Sequence, residues 1–188
     1  MTKNYIPLIC AVLVLVAGCS SVPDQRLTVP RSPVEAKERI AFASVAVREV
    51  SLPGYAAGEQ IYLADAAGLL SAQPGLFWAD DPSRAITLEL TRHLAQMTGA
   101  RVASEPWPFG TFPEVQVEVR IEEMLAQDAG LFRLAGQYFI SSESGRARAR
   151  LFDLSVPLPD EGGAAAIAAA RGQALRDLAV EIARNGLR

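Results

Sequence analysis

Between Glu114 and Ile121 the chain alternates without a break, Val115, Val117, Val119 and Ile121 taking turns with Glu114, Gln116, Glu118 and Arg120. Successive side chains on a strand point to opposite faces, so the pattern predicts a strand with one apolar and one wet face. Such a strand belongs to a sheet covered on one side only. The next residues extend it. Phe132, Leu134, Gly136, Tyr138 and Ile140 share one face of the run Leu131 to Ser141, Ser142 to Gly145 supplies a hairpin turn, and Arg146 to Leu158 returns. Together these read as an antiparallel meander.

The apolar face needs a cover, and two segments have helical period. Asp81 is a good N-cap, Pro82 fits the first helical position and Gly99 can close the far end. Between them Ile86, Leu90, Leu94 and Met97 recur at helical spacing along one face. An alanine-rich segment after Gly162-Gly163 runs to about Arg184, with a stripe of Ile167, Leu175, Leu178 and Ile182 that Arg171 interrupts. Upstream, Arg39 to Leu52 is rich in β-branched residues and ends at Pro53-Gly54, which predicts a first strand. Ile61-Tyr62-Leu63 fits a short strand, Val102 begins another, and Leu69-Leu70 and Leu76-Phe77-Trp78 are apolar islands. No internal repeat is present. The expected fold class is α/β: a single domain with a mixed, largely antiparallel sheet packed against two main helices.

The N-terminus has a different logic. Lys3 precedes an apolar run from Ile6 to Val16, too short to cross a bilayer, which takes about 20 apolar residues. The run ends in Val16-Ala17-Gly18-Cys19, which resembles the bacterial lipobox. Small residues there let the peptide enter a tight protease cleft, and the Cys19 thiol accepts a diacylglyceryl group. Residues 1–18 are therefore expected to be a lipoprotein signal peptide, cut between Gly18 and Cys19. Ser20 and Ser21 stand where an aspartate would retain the product at the inner membrane, which points to the periplasmic face of the outer membrane. Residues 19–37 hold Pro23, Pro30 and Pro33 and little periodicity, as expected of a lipidated, flexible tether. Residues 38–188 form the folded domain.

Compartment and composition narrow the function. Cys10 leaves with the signal and Cys19 carries lipid, so the mature domain has no thiol for a disulfide, for thiolate catalysis or for a cysteine metal site. Of 18 Lys and Arg, Lys3 is lost, leaving 17 against 21 Asp and Glu. That mildly acidic balance argues against nucleic acid and against a polybasic membrane patch.

Catalytic constellations are scarce. His93 is the one histidine; beside an apolar stripe it reads as a packing residue, and as an acid or base only if the chain is an enzyme. Metal sites want several His, Cys or carboxylates in register. Glu122 and Glu123 are adjacent and, on a regular strand, point to opposite faces. Asp80-Asp81 suits helix capping. No phosphate loop and no Gly-x-Ser-x-Gly elbow occurs. The expectation is a non-enzyme with no metal and no cofactor beyond the acyl lipid on Cys19.

Two features could mark a partner surface. Arg146, Arg148 and Arg150 alternate along one strand face, either as a solvated row paired with Glu114 and Glu118 or as a docking surface. Trp78 either inserts beside the helix or stands at the surface as an anchor, a role in which tryptophan is enriched.

Several of these segments occur in a familiar order. A proline-rich tether follows the lipobox, then a first strand leading to Leu52-Pro53-Gly54-Tyr55, then Ile61-Tyr62. Trp78 stands just before the capped helix, and Val102, Trp107-Pro108, Val115-Gln116-Val117-Glu118-Val119 and a final helix follow. The arrangement resembles the PqiC-like auxiliary lipoproteins of ABC-type, MCE-containing transport systems. That family commonly carries a Tyr-Leu-Asp-Arg-Pro-Gln-Ile-Val-like segment after its first strand. Residues Tyr55 to Tyr62 keep the Tyr and the Gln-Ile and lack the Asp-Arg-Pro. The resemblance implies a non-catalytic accessory lipoprotein that docks a periplasmic MCE-domain protein to the outer membrane and helps lipid cross the periplasm. The candidate partner-binding residues are Tyr55, Trp78, Arg146, Arg148 and Arg150, and a homo-oligomer is left open. The competing expectation is another outer-membrane lipoprotein, for envelope assembly or lipopolysaccharide export, without an MCE partner.

Overall fold

The computed structural model describes residues 23–31, 33, 37–145, 147–159 and 163–188. Cys19, the signal segment and Arg146 lie outside the described residues. In chain order the elements are β1 (Gln25–Leu27), β2 (Ser44–Val47), α1 (Gly54–Ala57), β3 (Gln60–Ala64), β4 (Leu70–Trp78), α2 (Pro82–Thr98), β5 (Arg101–Ser104), β6 (Val115–Gln127), β7 (Leu131–Ser142), β8 (Ala147–Pro157) and α3 (Gly163–Glu181). A π turn, Ile182–Gly186, follows α3.

Among the described residues the strands make one 8-stranded sheet built around the long β6–β7 hairpin. β6 is long enough to carry two strands along one edge. Its first half pairs in parallel with β2, which pairs in parallel with β5. Its far end pairs in parallel with β3, followed by antiparallel β4 and parallel β1. On the other side, β7 and β8 continue antiparallel. Most of the paired length is antiparallel, as the alternating runs predict.

The core lies between one sheet face and α2 with α3. Val115, Val117, Val119 and Ile121 are at most 4 % exposed, and Ile86, Leu90, Leu94 and Met97 of α2 are fully buried against that face. The caps of α2 form as read: the Asp81 side chain accepts from Arg84 N at 2.8 Å, and Gly99 closes the helix with a left-handed φ of 69°. The stripe of α3 and the π turn after it bury Ile167, Leu175, Leu178 and Ile182, and the alanines of α3 let it lie close. On the outer face, the β5–β6 connection crosses over β2; Phe109 in that connection stacks on outward-facing Arg101 at 5.3 Å. This cover explains why all four residues of β2 are buried.

Several expectations need correction. The regular part of the first strand is only Ser44–Val47, because the chain leaves the ladder at Arg48 and touches it again at one bridge, Ser51 to Arg120. Part of the expected tether is in the sheet: β1 pairs with Leu76–Trp78, and Leu27 and Val29 pack against the core. A bulge after Ile121 breaks the alternation of β6. Glu122 and Glu123 consequently share the outer face, where they accept from Gln137 and Arg133 of β7. Arg148 and Arg150 sit beside β7, opposite Ile140 and Tyr138, rather than beside the β6 acids. Glu118 pairs instead with Arg48 and Arg120, and Glu114 accepts from Ala43 N.

Candidate functional site

Sequence-based candidates divide between the two ends of the sheet. Tyr55, on α1, is half-buried, its ring edge-on to Tyr62. Its hydroxyl accepts from Met124 N at 3.2 Å, just past the β6 bulge, and burial raises the phenol above its ordinary pKa. It thereby ties α1 to the sheet. Trp78 is 5 % exposed and lies in the core, so its ring is not a surface anchor. Both rings border the same small void beneath β3. At the opposite end, Arg148 donates to the Asn185 carbonyl at 3.0 Å, satisfying a free acceptor at the close of the last helix. Arg150 remains exposed near it.

The unusual chemistry is where no motif pointed. Arg171 of α3 is 2 % exposed, and its guanidinium carbon lies 4.5 Å from the Trp78 ring centre, within cation–π range. Among the described residues its Nε and one terminal nitrogen have no hydrogen-bond partner. Burial pushes its pKa down to about 10, against the pull of Glu89 and Asp80. Glu89 and His93, one turn apart on α2, are 5 % and 1 % exposed. The His93 Nε2 to Glu89 Oε1 distance is 3.6 Å, too long for a hydrogen bond. A cavity of about 220 Å³ opens beside them, lined by Leu27, Thr28, Trp78, Glu89, Arg92 and Arg171. Leu27 of β1 and the residues just after it form one wall of this pocket.

What the cluster can do is limited. It holds a buried cation over an aromatic ring, with a buried carboxyl and imidazole on the neighbouring helix. Among the described residues no group of three or more His, Cys, Asp or Glu is placed to hold a metal. The one advance sign was Arg171 interrupting an apolar stripe. Glu89 had none, since a glutamate beside a helical stripe usually faces water.

The family model for the ABC-type transport auxiliary lipoprotein component matches residues 26–183. The chain belongs to that family. No curated protein matches it. Two solved structures share the fold. One, described only as an uncharacterized protein, is 16 % identical with a TM-score of 0.69, over 85 % of this chain and 97 % of its own. The other, from Xanthomonas campestris and assigned to DUF330, is 17 % identical with a TM-score of 0.63, over 85 % of this chain and 90 % of its own. At these identities the likeness speaks for the fold alone. Membership makes this chain a transport accessory lipoprotein, a class that is not enzymatic, and gives it an ABC-type transporter as partner. No helix among the described residues is long and apolar enough to cross a membrane.

Proposed function

We propose that this lipoprotein is held by acyl chains on Cys19 at the periplasmic face of the outer membrane and docks a periplasmic MCE-domain protein there. The family match over residues 26–183 carries the reading. The order of segments from the lipobox to the final helix supports the MCE partner, and Ser20-Ser21 supports the outer membrane. Its work is attachment and guidance of lipid cargo, with ATP hydrolysed by another subunit. Of the arginine row, Arg150 is the described member best placed for a partner, because Arg148 is engaged at the helix end. Leu151, beside it on β8, is 76 % exposed, and among the described residues β8 pairs with β7 alone, which leaves an edge suited to another protein.

In-cell photo-crosslinking from positions 150 and 151 tests this. Capture of an MCE-domain protein is the expected result. Capture of an unrelated envelope-assembly protein would replace the reading with the competing one, and self-crosslinks alone would point to a homo-oligomer on this edge.

A further inference from the structure

We infer that the β3–β4 hairpin tip dips into the lipid surface beside the acylated cysteine. This inference rests on the lipidation of Cys19 in the proposed function.

The tip is apolar and exposed. From Ala66 to Ala79 no residue is charged. Leu69 is 68 % exposed and Leu70 37 %, and residues 65–72 are exposed throughout. Asp65, the flanking acid, is used within the turn, where its carboxylate accepts from Ala67 N and Leu69 N. The tip is also held out rigidly. Three residues around Pro74 and Gly75 loop out of β4, and the Gln60 amide spans the gap, donating to the carbonyls of Gln73 and Leu76 at 2.7 and 3.1 Å. A leucine pair presented on a fixed turn, with nothing among the described residues covering it, fits an apolar phase.

The occupant follows from the run of the chain. β1 is parallel to β4, with Arg26 level with Phe77, so the chain upstream of Gln25 leaves toward the hairpin tip. By the β3 register, Leu70 stands four residues above Phe77, about 13 Å. The seven residues from Arg26 back to Cys19 span at most about 25 Å. Acyl chains on Cys19 can therefore enter the membrane at the level of the tip. The β6–β7 turn ends at the same height, Gln127 level with Ala64, and adds only Asp128 as a charge among the described residues. With acids rather than bases at this end, the contact is apolar and needs no anionic lipid. Among the other exposed apolar side chains, Phe112, 85 % exposed, precedes β6 at the opposite end of the sheet.

The test uses the acylated full-length chain on zwitterionic phosphatidylcholine vesicles. The mature chain has no free thiol, so Leu70→Cys and Phe112→Cys each accept one environment-sensitive fluorophore. Membrane-embedded quenchers should dim the probe at position 70 several-fold more than the probe at 112, at low and high salt alike. If vesicles carry the acylated chain and the probe at 70 stays in water, the tip contact is overturned and the anchor stands. A probe at 70 shielded only when a partner protein is added overturns it in favour of a protein contact. If Cys19 proves unacylated, the anchor reading fails and this inference with it.

Discussion

Gly136 faces the Arg120 carbonyl so closely across the β6–β7 hairpin that a Cβ added there would lie 2.2 Å from the oxygen. The same Cβ would lie 2.9 Å from Ile121 Cα. Both neighbours are backbone and cannot swing away. This glycine stands opposite the bulge at Ile121 and Glu123, where the inward face of β6 changes from odd to even residues. Gly136→Ala should therefore cost at least the upper part of the about 1–3 kcal/mol typical of overpacking. Urea unfolding would read it. Gly110→Ala, with open space around the added carbon, is the control and should change little.

Glu38 joins the two ends of the domain. Its carboxylate accepts from Arg184 at 2.8 Å and from Arg188 at 2.9 Å, while its N–H donates to the Met97 carbonyl at 2.8 Å. The hydrogen bond from Arg184 is the main force holding its pKa below the ordinary 4.5, with Arg188 adding to it. A carboxyl whose pKa is depressed by folding contributes stability above its unfolded pKa and loses it as pH falls toward the folded value. Glu38→Gln should lower the thermal midpoint at pH 7, and the gap from the parent should narrow once pH drops below 4.5. A gap that stays constant through that range would show that the charge is not what counts.

Much of the architecture was legible because its signals are local. Asp81, Pro82 and Gly99 bracket α2 within a residue of their predicted places, and the hairpin turn at Ser142 to Gly145 separates β7 and β8 as read. What failed depends on partners distant in sequence. Gln25–Leu27 has no strand signature of its own and becomes a strand only because β4 offers it an edge. Leu70 and the Leu76-Phe77-Trp78 island belong to one strand interrupted by the loop at Pro74-Gly75, so neither half shows the period of the whole. Pairing of β8 with β7 alone follows from the hairpin, yet the acids of β6 looked like equally good neighbours for its arginines. In the site, Trp78 and Arg171 lie 93 positions apart and nothing local links them.

Tyr138 is fully buried, with its hydroxyl 3.3 Å from Glu181 Oε1. Burial, and then the Glu181 charge, push its pKa up to about 12. An unfolded tyrosine ionises near 10, so between 10 and 12 the unfolded chain gives up a proton that the folded one keeps, and stability falls with rising pH. Tyr138→Phe should remove that alkaline loss, seen as a shallower decline in unfolding midpoint from pH 10 to 12. At pH 7 the change should cost about 1 kcal/mol, since Glu181 keeps its bond from Asn185 at 2.6 Å. An unchanged alkaline slope would place the titrating group elsewhere.

Arg171 and Glu89 are both buried, Glu89 favours the charged form of Arg171 through the field, and the two share no direct hydrogen bond. Removing one partner strands the other with less compensation. A buried polar atom left unsatisfied costs about 1–3 kcal/mol, and more for a charge. Replacing both by apolar residues of similar volume is often neutral or better. Arg171→Met and Glu89→Leu should each lower the midpoint, and the double variant should recover most of the loss, as a double-mutant cycle in urea would show. If it recovers while transport in cells fails, the pair is kept for the cavity that Trp78 and β1 enclose rather than for stability. A double variant less stable than either single one would mean that the guanidinium stacked on Trp78 contributes more than its burial costs.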